Sequence, residues 1–265
     1  MADESPAAFY DGLASEYHSL YPDWWAGAQW HADVIDGVLR SVGVSSPAPI
    51  LDCACGIGTQ AIPLAQRGYV MTATDISEQA IARAKHEAVA RDISLSFGVA
   101  DMRQVHEVVT PPFHAVIACD NAIPHLLDDA DLDAALSSIA SCLAPGGVFL
   151  ASVRDYDVLR RDRVSGVPGV VRQRADGREI VGQAWEWSDD FERMRIHLFV
   201  LHEHAPDQWT TTVHRTWYRA LGRTALAEAL HRAGFDDIRW HEPADSGYYQ
   251  PIVTARRPGV PAPSQ

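Results

Sequence analysis

Basic residues are scarce in this chain. Lys and Arg number 22 against 35 Asp and Glu in 265 residues, a formal charge of −13. That balance argues against DNA, RNA or an anionic membrane as the main partner, because such surfaces need clustered cations. The nearest approach to a cluster, Arg160-Arg161-x-Arg163, reads as a solvated loop. Long apolar runs are missing too: none approaches the ~20 residues needed to span a bilayer. The opening Met1-Ala2-Asp3-Glu4 has no basic segment followed by an apolar one, so no secretory signal is expected. Cysteine is confined to Cys53, Cys55, Cys119 and Cys142, with no C-x-x-C pair. Three of the four fall at or beside predicted strand ends, which suits small buried thiols rather than a disulfide framework or a metal site. These absences predict a cytoplasmic protein. The apolar fraction, 47%, is ample for a sizeable core, as one α/β domain with an insertion or as two small domains.

The stretch Ile50-Leu51-Asp52-Cys53-Ala54-Cys55-Gly56-Ile57-Gly58-Thr59 reads as an apolar strand entering a small-residue loop, with a helix starting near Gln60. Two glycines spaced by one residue permit a sharp turn and close approach of a ligand to the main chain. The following helix N-terminus presents free N–H groups and a partial positive charge. Gly56-x-Gly58-x-x-Ala61 also satisfies the dinucleotide fingerprint, so the loop by itself leaves the ligand open. Its company narrows the choice. Asp52 ends the first apolar run, Asp75 ends Tyr69 to Thr74, Asp101 follows Leu95 to Val99, and Asp120-Asn121 follows Ala115 to Cys119. Open α/β sheets bind ligands at these carboxyl ends, and an acid on the second strand suits a ribose diol.

Residues 1–44 read as mostly helical, interrupted at Tyr21-Pro22-Asp23-Trp24-Trp25. Helices are predicted over Glu78 to Arg91, behind the N-cap Ser77, and over Asp131 to Leu143. Strand–helix alternation implies a parallel sheet with right-handed crossovers. Residues 167–219 lose the helical period and read as an antiparallel meander with turn signals at Asp176-Gly177, Ser188-Asp189-Asp190 and Pro206-Asp207. A helix over Thr224 to Ala233 and strands over Phe235 to Trp240 and Tyr248 to Ala255 follow. The Pro-rich tail, 257–265, is predicted disordered. His202 and His204 share a strand face, but without an obvious carboxylate partner they read as packing, and no metal is expected.

With Pro145-Gly146-Gly147 turning into a strand over Val148 to Val153, the order and spacing resemble class I S-adenosylmethionine-dependent methyltransferases over roughly residues 45–155. Asp52 to Gly58, Asn121-Ala122-Ile123-Pro124-His125-Leu126 and Val153-Arg154-Asp155-Tyr156-Asp157 most resemble the glycine and sarcosine N-methyltransferase branch. The resemblance implies an α/β fold: a Rossmann-like class I methyltransferase sheet with helices on both faces and an inserted antiparallel β substrate lid. It divides the chain into an N-terminal helical cap (1–44), an S-adenosylmethionine-binding core (45–157), the lid (158–219) and a C-terminal helix and strands completing the core (220–256). S-adenosylmethionine is the implied cofactor. Asp52 and the backbone of Ala54, Gly56 and Gly58 would meet its methionine part, together with Cys119. Asp75 with Ile76 would hold the ribose, Asp101 and Met102 the adenine, and Tyr17 and Tyr21 would close over it.

On the acceptor side the resemblance implies Asn121, His125 and Arg154, the last forking onto a carboxylate. An ion pair from Arg154 to Asp155 or Asp157 is the alternative. The implied partner is a small molecule bearing an amine and a carboxylate, with no nucleic acid and no membrane, and room is left for a homo-oligomer. Oxygen or carbon methylation with His125 as base, a nicotinamide-dependent oxidoreductase and a non-catalytic nucleotide-binding module are the competing readings. Two departures from the branch stand out: Gly56-Ile57-Gly58 replaces Gly-Thr-Gly, and Asp120 replaces a small residue, adding negative charge beside Asn121.

Overall fold

A computed structural model describes residues 4–174 and 177–259. Helix α1 (Pro6–Leu13) starts behind Ser5, whose hydroxyl accepts the Ala8 N–H. A 3-10 turn over Tyr17–Leu20 leads to α2 (Trp24–Ser41), capped by the Asp23 carboxylate on the Ala26 N–H. Strands and helices then alternate: β1 (Pro49–Asp52), α3 (Ala61–Gln66), β2 (Val70–Asp75), α4 (Glu78–Val89), β3 (Ser96–Val99), β4 (Phe113–Ala118), α5 (Asp129–Cys142) and β5 (Leu143–Ser152). After α6 (Tyr156–Arg161) come β6 (Gly166–Arg174), β7 (Gly177–Trp187), β8 (Arg193–Ala205) and β9 (Gln208–Arg219). The chain closes with α7 (Arg223–Arg232), β10 (Asp236–His241), α8 (Pro243–Ser246) and β11 (Ile252–Arg256).

The main sheet has the order β10-β11-β5-β4-β1-β2-β3. Strands β1 to β5 pair in parallel, and β11 joins β5 and β10 antiparallel. Side chains of the central strands are buried on both faces, as a doubly covered parallel sheet requires. Leu51, Val116 and Phe149 pack against Leu136 and Ile139 of α5 and Leu226 and Leu230 of α7. Ile50, Ile117 and Leu150 pack against Ile35 and Leu39 of α2, Leu64 of α3 and Ile81 of α4. Strand order reverses on either side of β1, which opens a crevice at the carboxyl ends between β1 and β4. The predicted fold class is the observed one.

The inserted strands form a second, antiparallel sheet, β6-β7-β8-β9. Along β8, Met194, Ile196, Leu198 and Val200 are buried at every second position and pack on Phe9 and Leu13 of α1 and Tyr156 of α6. The meander thus lays an apolar face over the N-terminal helix, beside the crevice.

Several boundaries differ from expectation. Strand β5 begins at Leu143, opposite Phe113, and Pro145-Gly146-Gly147 forms an irregularity inside it before Val148 pairs with Ala115. Helix α5 starts two residues early because the Asp128 carboxylate caps it at the Asp131 N–H. Tyr248 to Gln250 lie outside β11, since Gly247 at φ 77° turns the chain inward first. Arg257, assigned to the disordered tail, is fastened: its N–H donates to Gly147 O at 2.8 Å and its carbonyl accepts the Gly146 N–H at 3.0 Å. The remaining tail from residue 260, and residue 176 of the expected Asp176-Gly177 turn, lie outside the described residues. Among the described residues no helix is long and apolar enough to cross a membrane.

At Gly58, in the loop after β1, a side chain is excluded twice over. Its φ is +91°, and a Cβ would stand 2.4 Å from Cδ1 of the fully buried Ile62. Gly58→Ala is expected to cost about 1–3 kcal/mol, lowering Tm by about 3–10 °C. Gly37 lies exposed inside α2 with open space around its missing Cβ. Gly37→Ala is expected to add about 0.5–1 kcal/mol. Thermal melting of the two variants checks both signs. A Gly58→Ala protein as stable as the parent would show that the loop conformation is not required.

Candidate active site

Two cavities meet at the carboxyl ends of the parallel strands. The smaller, about 410 Å³, lies over the loop after β1. That loop is hung between its neighbours: the Cys53 N–H donates to Ile117 O of β4 at 3.0 Å and the Cys55 N–H to Thr74 O of β2 at 3.0 Å. The Gly56 N–H donates to Asp75 Oδ2 at 2.8 Å, and the other Asp75 oxygen accepts the Ser77 N–H at 2.9 Å. Asp75 is buried, and burial raises its pKa against the opposing pull of those two N–H donors. Each of its oxygens retains accepting capacity for a further donor.

Of the residues that the sequence assigns to the methyl donor, Ala54, Gly56, Asp75, Ile76, Asp101, Met102, Cys119 and Tyr17 line this smaller cavity. Three of the expected donor residues do not. Gly58 sits behind the loop and shapes it. Asp52 lies beneath the loop, where one oxygen accepts the Ala54 N–H at 3.3 Å and the other is buried without a partner. Burial pushes the Asp52 carboxyl well above its usual range. Tyr21 faces the larger cavity instead. Arg103 was not anticipated: it borders the smaller cavity and pairs with Asp101 at 2.5 Å and Asp131 at 2.8 Å.

The larger cavity, about 820 Å³, extends from the strand ends to the inner face of the meander. Tyr10, Tyr17 and Asp120 border both cavities. Asp120, noted in the sequence only as a departure, is the hub of the junction. Its Oδ1 accepts the hydroxyls of Tyr248 (2.5 Å) and Tyr249 (2.9 Å), and its Oδ2 accepts Nε2 of Gln60 (2.7 Å). Burial, reinforced by the Asp120 charge, holds the phenols of Tyr21, Tyr248 and Tyr249 well above their usual pKa, so they remain donors. The nearest basic group, His31 Nδ1 at 3.7 Å, is lowered by burial despite the pull of Asp120. Among the described residues, no Arg or Lys forms an ion pair with Asp120.

Arg154 lines the same cavity. The expected alternative of an ion pair to Asp155 or Asp157 is not realised: Arg223 takes Asp155 at 2.8 Å, and Asp157 accepts the Arg223 N–H. Arg154 instead lies over the rings of Trp185 (4.8 Å) and Tyr218 (5.3 Å) and donates Nη2 to Gln183 Oε1 at 3.4 Å. Its Nη1 is buried without a partner. Trp217, by contrast, turns away from this cavity and donates to Glu4 at 3.0 Å.

Asn121 corrects the sequence reading. It is buried and reaches neither cavity; its amide donates to Tyr156 Oη at 2.9 Å and accepts the Arg154 N–H at 3.0 Å. It positions Arg154 rather than touching a ligand. His125 borders the smaller cavity, with Nε2 hydrogen-bonded to Tyr10 Oη at 3.1 Å and its ring 4.3 Å from that of Tyr218. Burial pushes its pKa down to about 3. A histidine that weakly basic is ill-matched to general-base work near neutral pH.

Residues 50–147 match a family model described as a methyltransferase domain. The chain is 23% identical to a glycine/sarcosine N-methyltransferase of Aphanothece halophytica over 94% of its own length and 88% of that protein. A protein of the same name from Parasynechococcus marenigrum is 32% identical over 52% of this chain and 48% of that one, about half its length. A solved amino pentose methyltransferase from Micromonospora echinaspora, with S-adenosylmethionine bound, shares the fold at a TM-score of 0.70 and 18% identity, covering 93% of this chain and 96% of that one. The strand order, the ligand crevice and these matches converge: residues 50–147 carry a methyltransferase domain, and the chain is similar to class I S-adenosylmethionine-dependent methyltransferases.

Proposed function

We propose that the protein methylates the nitrogen of a small, amino-acid-like acceptor. One observation carries the reading. A carboxylate, Asp120, and a guanidinium, Arg154, line the same cavity, and neither has an ion-pair partner of opposite permanent charge among the described residues. A ligand with a cationic nitrogen and a carboxylate complements both. The names of the two sequence relatives, and that of the amino pentose enzyme, agree with an amine as acceptor.

The smaller cavity fits the methyl donor. Its volume falls within the ~300–1,000 Å³ usual for small-molecule sites, and it combines loop backbone, a strand-tip carboxylate and apolar walls from Ile76 and Met102. Ala54 and Gly56 would lie along the methionine part, Asp75 would accept from the ribose hydroxyls, and Asp101 and Met102 would flank the base. When bound, S-adenosylmethionine supplies a methyl group on a positively charged sulfur. Asp120, at the junction, faces the place where the acceptor nitrogen gains positive charge, and a fixed negative group there stabilises that change. Arg154 orients the acceptor through its carboxylate, and its planar fork suits that group better than an ammonium does. Residues 1–44 cap the site and the meander closes the acceptor side. Oxygen or carbon methylation would need a base, and His125 is poorly suited to supply one.

Incubation with labelled donor and a panel of amino acids, simple amines and phenols tests the reading. Label is expected on α-amino acids; label on phenols alone would overturn it. Arg154→Lys is expected to lose about 1.5–3 kcal/mol of acceptor recognition, seen as a raised KM with donor affinity, measured by calorimetry, nearly unchanged. Equal losses for acceptors with and without a carboxylate would refute the clamp. The pH dependence follows from the same chemistry. Only the deprotonated amine can attack, and His125, with its pKa near 3, does not titrate across the neutral range. The logarithm of kcat/KM is therefore expected to rise with a slope of about one as pH increases towards the acceptor's own pKa. A profile flat from pH 6 to pH 9 with methyl transfer rate-limiting would contradict an amine acceptor.

A further inference from the structure

Asp120 and Arg154 occupy one end of the larger cavity, and the wall that α1 and the meander contribute has a different character. Beyond Asp120 and Arg154 the cavity is bounded by α1 and the inner face of the meander, which pack on each other. There Leu13 of α1 faces Val181 of β7 and Ile196 and Leu198 of β8, with Leu20 and Leu159 at the sides. Register explains the uniformity. Val181, Gln183 and Trp185 share one face of β7, and their β8 partners Val200, Leu198 and Ile196 are all buried and apolar. The one polar side chain in that β7 stretch, Gln183, is committed to Arg154 and to Trp185 Nε1 at 2.9 Å.

Polar straps fix these walls, and one of them, Arg172, itself borders the cavity. Ser19 Oγ donates to Glu179 at 2.7 Å, Arg172 donates to the carbonyls of Ser19 and Leu20, and Arg174 donates to Glu179 at 2.8 Å and to the Tyr21 carbonyl at 3.3 Å. These bonds brace the 3-10 turn against β6 and β7, so the space does not depend on a ligand to hold it open. Water gains few hydrogen bonds from such walls, and apolar ligand atoms are favoured there. At about 820 Å³ the cavity is of a size that holds drug-sized molecules rather than the smallest amino acid.

We infer that the acceptor carries an apolar body, an alkyl or aryl group at least as large as the side chain of norleucine, which lies against the apolar wall formed where α1 meets the β7–β8 face while its amine and carboxylate meet Asp120 and Arg154. This rests on the N-methylation reading above and adds the substrate's size and polarity to it.

A chain-length series separates the two. Initial rates are measured with saturating S-adenosylmethionine and glycine, alanine, norvaline, norleucine, 2-aminooctanoate or phenylalanine. The expected result is a kcat/KM that climbs about fourfold per added methylene as far as norleucine, with glycine poorest. Turnover that is flat along the series, or best with glycine, would overturn the apolar-body inference while leaving N-methylation standing. No turnover of any member, nor of hexylamine or phenethylamine, would overturn both. Val181→Phe narrows the apolar end and is expected to lower the norleucine-to-alanine ratio of kcat/KM at least tenfold. Ile196→Ala widens that end and should move the optimum to a longer chain. An unchanged ratio in a folded Val181→Phe protein, or an unmoved optimum in Ile196→Ala, would count against the placement.

Discussion

The site depends on two consecutive residues that leave β4 with left-handed backbone, Asp120 at φ +56° and Asn121 at φ +69°. Residues with a Cβ resist that conformation, and Asp and Asn tolerate it best. The turn is held by β5: Ser152 Oγ accepts the Asp120 N–H at 2.7 Å and the Ser152 carbonyl accepts the Asn121 N–H at 3.0 Å. Two side chains are thereby sent in different directions. Asn121 goes inward, where its amide grips Tyr156 and the Arg154 N–H. Asp120 goes outward to the place where both cavities meet. One strained turn sets the anionic group and, through Asn121, the exit direction of the cationic one.

Burying charge without compensation is costly, and the surroundings of the two groups show how that cost is contained. Around Asp120 the donors are neutral hydroxyls and an amide, which stabilise the carboxylate without cancelling its charge. Around Arg154 the partners are aromatic faces and one amide oxygen, which do the same for a cation. Full ion pairs are plentiful elsewhere: Arg223 is shared by Asp155 and Glu242, and Glu87 by Arg83 and Arg91. Opposite permanent charges are therefore withheld from the two groups that line the larger cavity.

Local pattern made much of the core legible in the sequence. The glycine loop, the acids at the strand tips and the strand–helix alternation are short-range signals, and they marked Ala54, Gly56, Asp75, Asp101 and Met102, all of which border the smaller cavity. The acceptor side was harder, because its chemistry is assembled across the chain. Asp120 collects Gln60 from 60 residues upstream and Tyr248 from 128 residues downstream, and no spacing rule announces such a meeting. Asn121 was singled out beside the right strand, yet one backbone rotation separates a ligand contact from an internal brace. For Arg154, two acids next to it in sequence suggested a bridge, and the competing claim of Arg223 on both is invisible until the fold is known. Trp185 and Trp217 both lie on strands of the meander, and the register sends only the first towards the larger cavity.

Of the described residues in the meander, only Arg193 reaches the smaller cavity, whereas β6, β7 and β8 together supply much of the wall of the larger one. The two cavities are thus walled by largely separate stretches of the chain. Substitutions within residues 166–219 can reshape the larger cavity while leaving the strand-tip loops intact. Such an arrangement lets the larger cavity change shape while the smaller one is kept. It also marks the meander as the segment to exchange, as a block, when specificity is to be transplanted between proteins of this fold.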